Sequence, residues 1–192
     1  MSFRPVRVKA KPKLAKARRP LIVSLALRFP PAARLLVLGA IRLPQGRLRR
    51  EFGDWAFRET VIGSLSRRDY DVMRTFITDD FEVFPAPELA ALLPGQHRGD
   101  PPVLRGAEEV VSFLEGWFDA WGTFTFTPKE GFDLGEGRVL VLNHLNARGV
   151  ASGVEIREQE EAQLWESRGG LVMRLRQWWS WRDALEALGL SE

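Results

Sequence analysis

The hydrophobic period changes abruptly between residues 105 and 126, and that change restricts the folds open to the chain more than any other feature. In "RGAEEVVSFLEGWFDAW", Val110, Phe113, Leu114, Trp117, Phe118 and Trp121 recur at helical spacing, with Glu108, Glu109, Ser112, Glu115 and Asp119 opposite, so this segment predicts an amphipathic helix. From Thr123 the period is two. The runs "TFTFTPKEGFDLG", "RVLVLNHLNARGVA", "VEIREQEEAQLWES" and "LVMRLRQWWSW" read as strands, and Gly135 to Gly137 and Arg168 to Gly170 as their hairpin turns. Helices followed by an antiparallel meander define an α+β chain. A short helix, "RDALEALGL", closes it.

Upstream, "EFGDWAFRETVIGSLSRRD" predicts a helix from about Arg47 to Ser66. Asp69 then stands at an N-cap, Asp71 in a first turn, and Val72, Met73, Phe76 and Ile77 form the buried stripe of a two-turn helix. Asp79 and Asp80 are expected to end that helix and lead into the short strand "FEVFP". This places the run of acids at element ends, in capping and turning roles. The Pro-rich stretch 85–103 reads as a long irregular loop carrying His97.

Charge divides the chain. Residues 1–50 hold 14 Lys or Arg and no acid, whereas residues 51–192 hold 14 basic and 25 acidic residues, so the two parts differ in role. Residues 1–20 are expected to be a basic disordered arm, 21–46 an apolar and basic helical extension, and 47–192 the folded domain. The apolar runs "LIVSLAL" and "LLVLGAI" are separated by Arg28, Pro30, Pro31 and Arg34, which makes a span of about 20 apolar residues a poor fit. An interfacial anchor on an anionic membrane surface through residues 1–50 and a helix packed on the outside of the domain are both open readings. A signal peptide lacks its cleavage pattern. The arm has no interleaved aromatics to stack bases, so no nucleic acid is expected. The expected address is cytoplasmic, at most peripheral to a membrane.

Several chemistries are excluded by residue type. With no Cys there is no disulfide or thiolate nucleophile, and the only two histidines, His97 and His144, lie far apart in sequence, so no metal site is expected. "IGSLS" is not GxSxG, and "GEGRVL" lacks a third Gly and a following helix. No cofactor is expected.

The segments "SRRDYDVMRTFITDDFEVFP", "LRGAEEVVSFLEGWFDAW", "RVLVLNHLNARGVASGVEI", "EQEEAQLWESRGGLVMRLRQW" and "DALEALGL" occur in an order that resembles the nuclear transport factor 2-like (NTF2-like) superfamily and its SnoaL-like group. The resemblance implies a cone, with helices in the concave face of a bent, mostly antiparallel sheet, an apolar pocket at the open end and a homodimer through the sheet. Its members include steroid isomerases, polyketide cyclases, epoxide hydrolases, dehydratases and non-catalytic modules, so fold alone does not give function. Aligned with the steroid isomerases, the general base falls at Phe84, the Tyr donor at Val61 and the second acid near Glu161; the first two cannot move a proton. The alignment also turns Gln159, Glu161, Gln163 and Trp165 inward. Strand alternation groups Asn143 with Val139, Val141 and Leu145 and sets His144 on the other face. Trp117, Trp121, Trp165 and Trp178 or Trp179 would supply an aromatic wall. A carboxylate inside an apolar site has its pKa raised and becomes able to exchange protons near neutrality. The candidates are therefore Glu161, with Glu59 second, as the acid or base. Phe84, Trp117, Trp121, Asn143, Gln159, Gln163, Trp165 and Trp179 would line a site for a small apolar molecule.

Overall fold

The computed structural model of the chain describes residues 67–91 and 103–190, with Ser24, Arg28, Phe29, Pro31, Ala32, Leu35 and Ser64 as isolated positions. The expected helix at 47–66, the basic arm, Glu59, Val61 and His97 lie outside the described residues, apart from Ser64. The described positions of the 21–46 extension are all exposed. No helix among the described residues is long and apolar enough to cross a membrane.

The chain divides into two compact units. Among the described residues, those up to Thr78 join Arg168–Val172 in one, and those from Asp79 to Ser167 join those from Met173 onward in the other. In the first, helix α1 (Tyr70–Phe76) buries Val72, Met73 and Phe76, as the helical spacing predicts, whereas Ile77, expected in the same stripe, is buried as the first residue of the strand that follows. Asp69 occupies the N-cap position without a side-chain cap bond. Its N–H instead donates to Ser64 O at 2.8 Å.

The second unit holds most of the sheet. Its strands are β1 (Ile77–Phe84), β2 (Leu104–Arg105), β3 (Trp121–Gly135), β4 (Arg138–Gly149), β5 (Glu155–Arg168) and β6 (Leu171–Trp178), in the open order β2-β1-β6-β5-β4-β3. The pairs β1–β2, β3–β4 and β4–β5 are antiparallel. Strand β1 starts at Ile77, so Asp79 and Asp80 are exposed strand residues and not the turn expected of them. The Pro-rich stretch likewise opens with a short helix, α2 (Pro87–Ala91), which buries Leu89 and Ala90.

Helix α3 (Gly106–Ala120) is the amphipathic segment. It buries Val110, Val111, Trp117 and Phe118, and Glu109 Oε2 accepts the Arg105 N–H at 2.7 Å, tying the helix start to the preceding residue. Trp121 does not continue the helix; it is the first residue of β3. The β3–β4 hairpin closes on Glu136 and Gly137, with φ of 53° and 76°, the left-handed pair a two-residue loop needs to match strand twist. A Cβ on Gly137 would stand 2.5 Å from Ser167 O, so glycine is required there twice over.

Two cores lie on the two faces of β4 and β5. Leu145 and Ala147 pack with Trp117, Trp121, Ala86 and Leu89. Leu140, Leu142, Ala162 and Leu164 pack with Ala184 of helix α4 (Trp181–Ala187). The helix is capped by Ser180, whose hydroxyl accepts from Asp183 N at 3.1 Å.

Candidate functional site

Asn143 pairs with Glu161, Val141 with Gln163 and Leu145 with Gln159 across β4 and β5. Alternation puts all six on the face that meets Trp117 and Trp121. Glu161 is fully buried, as is Asn143, and Gln163 is 1% exposed. Asn143 Nδ2 donates to Glu161 Oε2 at 2.9 Å, and Gln177 Nε2 on β6 donates to Oε1 at 3.2 Å. Gln163 adds a third side-chain hydrogen bond, while its own Oε1 accepts from Trp165 Nε1 at 3.1 Å. These partners are neutral amides. Loss of hydration therefore outweighs them, and burial pushes the Glu161 carboxyl up to about 7 from 4.5. The group is poised to take up and release a proton near neutral pH.

One residue along the same face, the surroundings turn aromatic. Leu145, beside Asn143, packs with Trp117 and Trp121, and Phe124, Phe126 and Trp179 pack against the same cluster. The Trp117 and Trp121 rings lie 5.8 Å apart, and Phe124 meets Trp117 edge-on at 5.2 Å. Among the described residues, three buried polar atoms in this region have no hydrogen-bond partner: Asn143 Oδ1, Trp117 Nε1 and Trp121 Nε1. Buried polar groups are ordinarily paired, and these three keep unused hydrogen-bonding capacity.

The backbone beneath Glu161 is clamped from the other face. Trp181 Nε1 donates to Asn143 O at 3.0 Å and to Glu161 O at 3.2 Å, and its ring stacks on His144 at 5.1 Å. His144 is hydrogen-bonded through Nδ1 to Glu158. That bond and a second from Asn146 hold the Glu158 carboxyl below its ordinary value.

The structure brings together most of the residues singled out from the sequence. Asn143, Glu161, Gln163 and Trp165 form one hydrogen-bonded run, with Trp117, Trp121 and Trp179 in the adjoining cluster. Gln159 shares the face, but its amide donates to the backbone carbonyls of Glu160 and Trp179, each at 2.9 Å. Phe84 is placed elsewhere. It lies beneath Arg176 and Arg174, at 5.1 and 5.6 Å from the ring centre, and Arg174 in turn bonds Glu82 and Glu166. By alternation that is the face opposite Glu161. Two contributors, Gln177 and Trp181, were not among the sequence candidates. Alternation in "RLRQWWSW" does separate Gln177 from Arg174 and Arg176, but nothing in the sequence pairs it with Glu161. Among the described residues no cluster of three or more His, Asp or Glu is arranged to hold a metal ion.

No protein-family model matches the chain, and no curated protein matches its sequence. Solved structures do match. An NTF2-like protein of unknown function from Burkholderia pseudomallei K96243 is 16% identical, with 69% of this chain and 93% of that one covered at a TM-score of 0.54. TerC, co-crystallised with polyporic acid, is 17% identical over 69% and 94% of the two chains, at 0.52. A protein of Jannaschia sp. CCS1 assigned as a SnoaL-like polyketide cyclase is 14% identical over 74% and 94%, also at 0.52. The helices, the open six-stranded sheet and these likenesses together establish that the chain has the α+β NTF2-like fold, with SnoaL-like proteins among those that share it.

Proposed function

We propose that the protein binds a small, largely apolar molecule beside Glu161 and uses that carboxyl for metal-free acid/base chemistry of the cyclase, isomerase, hydrolase or dehydratase type. The observation that carries this reading is a fully buried carboxyl held by three neutral amides, with a pKa raised to about 7 by burial. A proton passes from the bound molecule to a Glu161 oxygen and returns to another atom of it, while Asn143, Gln163 and Gln177 hold the carboxyl in one orientation. The Trp117 and Trp121 indole N–H groups, buried and unpaired, are donors available to an oxygen that gains negative charge. The aromatic cluster supplies apolar surface for the rest of the molecule. Two of the similar folds, TerC co-crystallised with polyporic acid and the SnoaL-like polyketide cyclase, support a small organic ligand.

A second reading, a non-catalytic binding module, is favoured by Phe84. The position that the steroid isomerases would fill with a base is here an aromatic ring under two arginines. Native mass spectrometry of the purified protein separates the two. A small molecule carried by the wild type, and converted on incubation only when Glu161 is intact, is the expected result. Conversion at an equal rate by Glu161→Gln would remove the carboxyl from the mechanism and leave the binding module.

A further inference from the structure

We infer that the molecule meeting Glu161 is a hydrophobic primary or secondary amine, its ammonium shared between the Glu161 carboxylate and Asn143 Oδ1 and its apolar body laid toward Trp117, Trp121 and Trp179. The inference rests on the preceding reading that Glu161 faces the bound molecule, and narrows its chemical class.

The balance of donors and acceptors argues first. Every hydrogen bond the described residues make to the Glu161 carboxyl is donated by a neutral amide. The atom beside it left without a partner among the described residues, Asn143 Oδ1, is an acceptor on a residue with no exposure. A ligand carbonyl or carboxylate brings more acceptors and leaves that oxygen unpaired next to a carboxylate. An ammonium group has only donors to offer. It satisfies Oδ1 and the Glu161 carboxylate at once. A quaternary ammonium has no N–H and a tertiary one a single N–H, too few to serve both Oδ1 and the carboxylate, which restricts the class to primary and secondary amines.

Charge argues second. A buried carboxylate without a cationic neighbour carries a desolvation cost that pairing with a positive group removes. The groups facing it from β4, β5 and β6 are Asn143, Gln163 and Gln177, none of which titrates. No cation among the described residues pairs with the carboxyl, and we assign the positive charge to the ligand. The aromatic faces grouped around Leu145 suit both an apolar body and the charge itself.

Binding then displaces a proton. Protonated Glu161 and R–NH3+ become a carboxylate–ammonium pair, and the carboxyl proton passes to buffer. Isothermal titration calorimetry of the full chain with benzylamine, in two buffers of different ionisation enthalpy, measures that proton. With a carboxyl titrating at about 7, about 0.9 proton is released per amine bound at about pH 6 and about 0.1 at about pH 8. Benzyl alcohol, the neutral isostere, binds at least about tenfold more weakly, a difference of about 1.4 kcal/mol. Glu161→Gln loses both the preference for the amine and the released proton. The wild-type measurement does not depend on whether that variant folds. Benzyl alcohol binding as tightly as benzylamine, with no proton released, overturns the amine class and keeps the small-molecule site. Failure of both probes to bind overturns the class and the site together.

Discussion

Glu161→Gln should make the protein more stable at alkaline pH. In the folded protein the Glu161 carboxyl titrates at about 7, against 4.5 for the ordinary group, because burial disfavours its charge. Between these two values the folded state keeps a proton that the unfolded chain has already released. Stability therefore declines as pH rises through the window and levels off above it. At 1.36 kcal/mol per unit, the full difference is about 3 kcal/mol. Gln keeps the shape and a carbonyl acceptor for the surrounding amides but cannot ionise. Urea unfolding followed by tryptophan fluorescence, run on both proteins from about pH 4 to pH 8, isolates the effect, because every other titrating group cancels in the difference. The variant should gain about 2–3 kcal/mol on the wild type across that range. Parallel stability curves, or a wild type that gains on the variant at high pH, would refute a buried carboxyl that charges at a cost.

Further substitutions probe the scaffold around the site. Trp181→Phe retains a ring against His144 but removes the N–H shared by Asn143 O and Glu161 O; it should cost about 1–2 kcal/mol by urea unfolding and speed amide exchange along β4 and β5. Gly137→Ala forces a left-handed backbone on an L residue and a clash with Ser167 O, so a loss of about 2 kcal/mol or more is expected, read as a lowered melting temperature. Arg174→Met removes links to Glu82 and Glu166, but Glu82 retains Arg105 at 3.4 Å and the pairs are partly exposed. The loss should stay below about 1 kcal/mol and shrink in high salt.

Much of this architecture is legible in the residues because periodicity reports burial directly. Helix α3 and strands β3 to β6 follow from the change of period after Trp121, and the two hairpins from their glycines. Where the residues mislead, the physical reason is specific. Asp79 and Asp80 look like turn residues, yet an exposed stretch of strand accepts carboxylates without penalty. Pro87 looks like a helix breaker, yet the first position of a helix has no intrahelical partner for an N–H, and α2 starts there. Alternation alone puts Asn143 and Glu161 on usable faces. The meeting of Glu161 with Gln177 depends on how β6 lies against β5, and of Trp181 with two carbonyls on the docking of α4. Neither register nor docking leaves a local trace in the chain.

Strand β5 carries one residue more than its partner between the pairs Leu145–Gln159 and Ala147–Ile156, and Glu158 there has φ of 48°. Asn146 holds the irregularity with both ends of its amide, accepting from Glu158 N at 3.0 Å and donating to Glu158 Oε1 at 3.1 Å. The bulge acts as a frameshift written in backbone: it brings Ile156 against the aromatic cluster, where uninterrupted pairing would deliver the guanidinium of Arg157. A slip of the bulge into regular pairing, with every residue kept, would therefore do more than straighten a strand. It would exchange a greasy side chain for a charged one at the threshold of the very rings that a guest molecule would touch.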